Sequence, residues 1–356
     1  MPISREEVIL GYRLVLGRSP ESEEVIAAHA AAHDSAEAFG RALLACDEAL
    51  RRAQHLMHPQ LLRRLGLSEA DVEELRAASG LHWPPRRPGF VSDFTGIYTR
   101  LSLVGLPPGH DGQHCALPIP SDFHAEAVEW LALLRALGAS RARFVMAELG
   151  AGWGPWTAAA HALARHHGVA QRRFYAVEAE ARNLARLRTH LADNAIPEEE
   201  VVVLDAVLTP EPGEVLWTEQ PETAGPDYGN RARRPGEPDY RGFEAAAGAV
   251  LRPGLPLAEF LAREPQWDFV HMDVQGWEGR LCRAALPVLE ERVRFLLIAT
   301  HSKALDAACF EMLHAAGWHM LANLGPVVGH APGAPSVEAL TVCDGTQFWR
   351  NPRLAG

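Results

Sequence analysis

The sequence predicts an α/β protein in which a doubly wound, mostly parallel sheet follows an N-terminal helical module. Three observations predict it. First, an apolar run, Phe144-Val-Met-Ala147, ends on Glu148; glycines then recur at Gly150, Gly152 and Gly154 before an alanine-rich segment begins. That order reads as buried strand, tight turn and helix start. Second, two later apolar segments also end on acidic residues, Arg173–Val177 on Glu178 and Val201–Leu204 on Asp205, with helical spacing over Ala181–Asn194 between them. Alternating strands and helices with polar residues at the strand ends imply a parallel sheet that receives its ligand at the carboxyl edge. Third, Ser4 to Ala53 carries helical periodicity alone.

In chain order, Ser4 and Glu7 form a capping-box pattern ahead of Val8, Ile9, Tyr12, Val15 and Leu16. Gly17 and Pro20 break that helix, a second follows, and Ser35–Leu50 gives a third. His55–Gly80 reads as a further helix pair, so a helical module spans residues 1–80. Residues 81–121 read as linker and extended arm, beginning with the proline-rich HWPPRRPGF, with short strands at Phe90–Phe94 and Tyr98–Val104. The irregular loop after them carries His110, Asp111 and His114, to which no metal is assigned. Residues 122–356 form the sheet domain. Its first helix, Asp122–Leu137, is expected beside the first strand, and Thr157–His167 makes the first crossover. Thr218–Ala247 is polar, rich in Gly and Pro, and reads as a substrate-covering loop. A short helix at Leu257–Ala262, a strand at Trp267–Asp273, a helix at Gly276–Leu289 and a strand at Val293–Ala299 follow. Ala304–Gly317, Trp318–Leu324 and Ala339–Trp349 supply the last helix and two strands.

The chain has 356 residues, room for one large α/β domain with a small extra module. Lys plus Arg number 34 against 45 Asp plus Glu, a net charge of −11. That balance argues against broad nucleic-acid or anionic-membrane binding, so no nucleic acid is expected among the partners. The five cysteines are scattered without a CxxC pair, which fits a reducing compartment. MPISREEVIL lacks a signal-peptide apolar core and no apolar run is long enough to span a membrane, so the expected location is the cytoplasm.

The glycine turn is the first candidate site. Gly150, Ala151, Gly152 and Gly154 let backbone approach a ligand, and the next helix offers free N–H groups. The spacing is GxGxG, with Pro155 where a dinucleotide fingerprint wants its offset glycine. Glu148, just before the turn, suits a cationic ligand, and S-adenosylmethionine carries an ammonium and a sulfonium. Glu178 is placed to accept both hydroxyls of a ribose. Asp205 and Ala206, one strand later, stand where such folds bind adenine, although an N-cap role fits Asp205 equally.

The second informative stretch is DFVHMDVQGWEGRLCRAA, Asp268 to Ala285. With ELGAGWGPWT, YAVEAEARNLARLRTHLADN and DAVLTPEPGEV upstream, it resembles the FkbM family of S-adenosylmethionine-dependent methyltransferases over roughly Phe144–His301. The family's Asp-Val-Glu-Gly-x-Glu run stands here as Asp273-Val-Gln-Gly-Trp-Glu278, with Gln275 in place of Glu. YRLVLGRSPES and RALLACDEAL near the N-terminus resemble a helical module attached to bacterial enzymes that modify glycans or cell-surface polymers. The resemblance implies a Rossmann-like class I methyltransferase sheet, S-adenosylmethionine as cofactor, and O-methylation of a sugar, polysaccharide or natural-product hydroxyl.

That chemistry needs a base at the strand ends. His301 is expected to be the base, with Asp273 orienting the hydroxyl or acting as base itself. His271 alternates with Asp273 along its strand and is read as a core histidine. Glu278 is read as stabilising the start of the next helix or orienting a neighbour. With Gln275 replacing a hard oxygen ligand, no metal is assigned. The expected partner is a small-molecule or glycan acceptor, with a homo-oligomer left open. The alternatives are a nicotinamide-dependent oxidoreductase, disfavoured by the GxGxG spacing, and a non-catalytic scaffold.

Overall fold

Seven strands build one sheet: β1 (Arg143–Leu149), β2 (Gln171–Glu178), β3 (Val201–Asp205), β4 (Trp267–Met272), β5 (Val293–Thr300), β6 (His319–Leu324) and β7 (Gly345–Arg350). The computed structural model describes residues 3–46, 48–49, 59–78, 84–115, 117–140, 142–218, 228–234 and 249–354. The strand order is β6-β7-β5-β4-β1-β2-β3. All neighbours are parallel except β7, which runs antiparallel to both β5 and β6. The chain winds outward from β1 to β3, then returns to place β4 on the other side of β1. This is the Rossmann-like sheet of class I methyltransferases, preceded by helices, and it puts a topological switch point between β1 and β4, where open α/β sheets bind ligands.

The central strands are apolar on both faces because helices cover both. Phe144, Met146, Phe269 and Leu297 face one core cluster, while Val145, Ala147, Val270, Met272 and Ile298 face the other. The helices are α1 (Ala127–Gly138), α2 (Pro155–His166), α3 (Ala181–Asp193), α4 (Leu257–Leu261), α5 (Glu278–Arg292) and α6 (Lys303–Ala315). Almost all of α1 is buried. It packs across β4 to β7 and against α2, where Trp130 meets Trp156, and so does not simply lie beside β1 as expected.

The N-terminal helices Arg5–Gly11, Glu23–Ala32 and Ala36–Leu44 share their own core of Val8, Tyr12, Leu16, Ile26, Phe39 and Leu43. The Ser4–Glu7 capping box is formed. The next pair, Pro59–Arg64 and Glu69–Ala78, joins the core of the sheet instead, through Leu62, Leu67, Val72 and Leu75. Arg135 of α1 also pairs with Asp71 and Glu74. By shared core, then, the described helices of this N-terminal region fall into two groups. Phe90–Ser92 pairs antiparallel with Tyr98–Arg100, but Leu101–Val104 is helical, not strand. A second small sheet went unread in the sequence: Ala249–Pro256 runs parallel to Val207–Thr209 and antiparallel to Glu214–Thr218. Among the described residues no helix is long and apolar enough to cross a membrane.

Candidate functional site

The turn between β1 and α2 holds Gly150, Gly152 and Gly154 at φ of 79°, 54° and 77°, a region that L side chains rarely adopt. The amides of Gly150 and Ala151 both donate to the Val177 carbonyl at 2.9 Å, tying the turn to the end of β2. Gly150 has a second constraint: a Cβ there would stand 1.8 Å from the Asp273 carbonyl oxygen. Glu148 is buried and accepts from the Trp156 and Thr157 amides at 3.1 and 2.8 Å and from Thr157 Oγ1 at 2.5 Å. It is the acceptor for the unsatisfied N–H groups that open α2. Burial pushes its pKa up to about 7 against the pull of those bonds.

Glu178 ends β2 under the turn. It accepts from Gly152 N at 2.7 Å, Ala179 N at 2.8 Å and Glu180 N at 2.7 Å, and burial pushes its pKa up to about 7. A carboxylate has about four acceptor positions, so one remains beyond these three bonds. A cavity of about 320 Å³ opens at this carboxyl edge, within the size range of small-molecule sites, ~300–1,000 Å³. Of the expected cofactor residues, Glu148, Gly150, Ala151, Gly152, Glu178 and Ala206 line it. Gly154 lies just behind as the N-cap of α2. Asp205 is placed differently from its expectation. Though opposite Glu178 in register, it is exposed and paired with Arg252 at 2.5 Å, and the wall there is made by Ala206, Val207 and Leu208.

Several lining residues were missed in the sequence, namely Phe123, His124, Trp153 and Trp217, whereas Tyr228 and Asn230 belong to the expected covering loop. Trp217 comes from the small second sheet, and its buried Nε1 has no hydrogen-bond partner among the described residues. Its one legible signal was the alternation of Val215 and Trp217. Tyr228 lies against Gly152 and donates to the Leu103 carbonyl at 2.7 Å. Most of the expected covering loop, residues 219–227 and 235–248, lies outside the described residues.

Asp273 follows β4 and also lines the cavity, its amide donating to Leu149 O at 2.9 Å. Its Oδ1 accepts from Gln275 Nε2 at 2.8 Å and lies 3.1 Å from His301 Nε2. Gln275 holds φ at 58° to make that contact, a strained backbone of the kind found at functional sites. On the other ring nitrogen, His301 Nδ1 lies 3.1 Å from Glu278 Oε1. Glu278 is fully buried and accepts from Val274 N and Gly276 N, each at 2.9 Å. It therefore ties down the loop ahead of α5, as the acidic residue of that helix's first turn, and orients His301.

This clamp corrects the base assignment. Burial acts to lower the His301 pKa, but the charges and hydrogen bonds of Glu278 and Asp273 prevail and raise it well above the ordinary value. This favours the imidazolium form, whose two nitrogens each lie 3.1 Å from a carboxylate oxygen, and the ring stands outside the lining of the cavity, so it is poorly placed to take a proton there. Asp273 is affected in reverse: burial pushes its pKa up, and the bond to His301 brings it below the usual value. Asp273, Glu278 and His301 bring donor atoms within 4.8 Å of one another. The carboxylates sit on opposite ring nitrogens, an ion-pair chain and not lone pairs converging on one ion.

No protein-family model matches this chain. It is 25% identical over 276 residues to a "Putative methyltransferase" of Jannaschia sp. (strain CCS1), covering 77% of this chain and 96% of that one. Among solved structures it is similar to precorrin-6y C5,15-methyltransferase from Geobacter metallireducens GS-15, at 14% identity and a TM-score of 0.36 over 64% of this chain and 90% of that one. It is also similar to an rRNA methylase from Streptococcus thermophilus, at 9% identity and a TM-score of 0.34 over 62% and 93%. The FkbM expectation, and the glycan-enzyme module attached to it, are corrected accordingly: no family model matches, and the similar structures include a precorrin methyltransferase and an rRNA methylase. The expectation that nucleic acid is excluded is withdrawn as well, with an rRNA methylase among the similar structures. What stands is the fold, the Rossmann-like class I sheet of S-adenosylmethionine-dependent methyltransferases.

Proposed function

We propose that this chain binds S-adenosylmethionine and transfers its methyl group to a hydroxyl of a sugar, polysaccharide or natural product. The observation that carries the reading is the cavity at the switch point, where the glycine turn, Glu178 and Asp273 meet. The residues there fit the cofactor. The Gly150–Gly154 turn offers close backbone approach, Glu178 keeps an acceptor position for ribose hydroxyls, and Ala206 with Val207 and Leu208 forms an apolar wall for adenine. The unpartnered Trp217 N–H adds a donor that a purine nitrogen would satisfy. When bound, the cofactor supplies a sulfonium methyl. Asp273 supports a hydroxyl acceptor, because it is a carboxylate fixed by Gln275 and His301 and open to the cavity. Among the described residues no cysteine is in a disulfide, which fits the cytoplasm as the location.

Calorimetry with S-adenosylmethionine, S-adenosylhomocysteine and NADH tests the cofactor. The first two are expected to bind and NADH is not; the reverse would overturn the reading. Labelled methyl transfer to hydroxylated glycans and to RNA tests the acceptor, and transfer to a base carbon or nitrogen would refute the hydroxyl assignment. Glu178→Ala is expected to weaken S-adenosylmethionine binding by about 1.5–3 kcal/mol, the range for hydrogen bonds to a charged group. Because burial raises Glu178 to about 7, its carboxylate form grows as pH rises through that value. Affinity should therefore rise between pH 6 and 8, and Glu178→Gln should flatten that rise. A pH-independent wild type would remove Glu178 from the site.

A further inference from the structure

We propose that His271 is the group that takes the proton from the acceptor hydroxyl. The inference rests on the methyl-transfer reading above. His271 stands two residues before Asp273 on and just after β4, so the two side chains leave the same face. Both line the cavity. His271 is 4% exposed, its Nδ1 has no hydrogen-bond partner among the described residues, and its ring packs 5.1 Å from Trp156. Other histidines, His124 on the cavity wall included, also carry a buried nitrogen without a partner among the described residues; what sets His271 apart is that it shares a face of the cavity with Asp273, the carboxylate that would hold the acceptor.

The surrounding charges favour a neutral ring. Asp273 on its own strand favours the imidazolium, while His124, from the segment ahead of α1, opposes it. Glu148 stands opposite His271 in register on β1 with its oxygens committed to α2, Glu129 of α1 faces Asp273, and Leu297 of β5 on the other side is apolar. Burial is the largest influence and lowers the His271 pKa to about 4. The ring is thus neutral at pH 7, whereas the carboxylates beside His301 push the pKa of that ring the other way.

The step balances. An oxygen lone pair of the acceptor forms the new O–CH3 bond, the S–CH3 bonding pair goes to sulfur, and the hydroxyl proton goes to a His271 nitrogen, which later releases it to water. One positive charge leaves sulfur as one arrives on imidazole, so the total charge of a buried site does not change. Were Asp273 to take the proton instead, the carboxylate and the sulfonium would lose their charges together. With His271 as acceptor, Asp273 stays charged beside the new imidazolium.

Charge exchange of this kind has a signature that needs no acceptor. In the full-length, 13C-labelled protein, His271 is assigned by loss of its Cε1–H signal in His271→Gln, or in His271→Asn if the first variant does not fold. It is then titrated between pH 4 and 7.5 in complexes with S-adenosylmethionine and with S-adenosylhomocysteine. The expected result is a titration about one pH unit or more higher in the homocysteine complex, a tenfold gain in proton affinity when the sulfonium charge is gone. The His301 signal is expected to stay protonated in both. Identical behaviour of His271 in the two complexes would overturn the proposal while leaving the methyltransferase reading intact. Failure to bind either ligand would remove that reading, and the proposal with it.

Discussion

Gly150→Ala is expected to leave a protein with little cofactor affinity and a Tm lower by about 10 °C. Two costs combine. A φ of 79° is a left-handed conformation that costs a side-chain-bearing residue roughly 1–2 kcal/mol. The larger cost is contact, because the new Cβ would lie 1.8 Å from the Asp273 carbonyl oxygen. That oxygen is backbone just after β4, whose neighbours on the sheet are β1 and β5, so relief requires parting two paired strands. A total on the order of 4 kcal/mol is a large part of the ~5–15 kcal/mol that holds a domain folded. Gly168→Ala is the control: Gly168 has a φ of 70° but open space where its Cβ would go. Thermal unfolding of the two variants side by side isolates the contact, and equal Tm values would show that the approach of Asp273 to the turn carries no energy.

Most of the sheet was legible because its signals are local. Buried parallel strands are continuous apolar runs, and β1, β2 and β4 each lead to an acidic residue that later proves useful. The glycine turn was legible for the same reason, since three positive φ angles in five residues leave little choice but glycine. The losses came where partners are distant in sequence. Nothing in Val207–Thr209 reveals that it pairs with Ala249–Pro256, so Trp217 could not be placed on the cavity. His301 looked free because Asp273 and Glu278 lie more than twenty residues away. Asp205 illustrates the opposite error: its place at the end of the next strand was correctly read, but Arg252 takes its carboxylate. Strand position was readable, whereas the protonation state of a histidine depends on which carboxylates the fold brings to it.

Glu278→Ala is expected to destabilise the protein by about 3–5 kcal/mol, the cost of removing one partner from a buried ion pair. The methyl group of alanine would leave the amides of Val274 and Gly276 without their acceptor and His301 with a charge half-compensated. Gln275 lies between those amides and holds Asp273, so the loss should reach the cavity as well. The pH dependence separates ion pairing from simple loss of packing. His301 has a folded-state pKa raised well above its unfolded value. Its contribution is therefore fully present below about pH 6.5, the unfolded histidine value, and is lost as pH rises through the folded pKa. Without Glu278 the folded pKa falls, and the loss moves to lower pH. Urea unfolding of wild type and Glu278→Ala should then give a wide gap in stability near pH 7 that narrows in alkaline buffer, as wild-type His301 gives up its proton too. Glu278→Gln, which keeps a carbonyl for the amides, should lose less stability at pH 7 but show the same narrowing. A gap that stays constant to high pH would mean that His301 is neutral in the folded protein, and would reopen its assignment as the base.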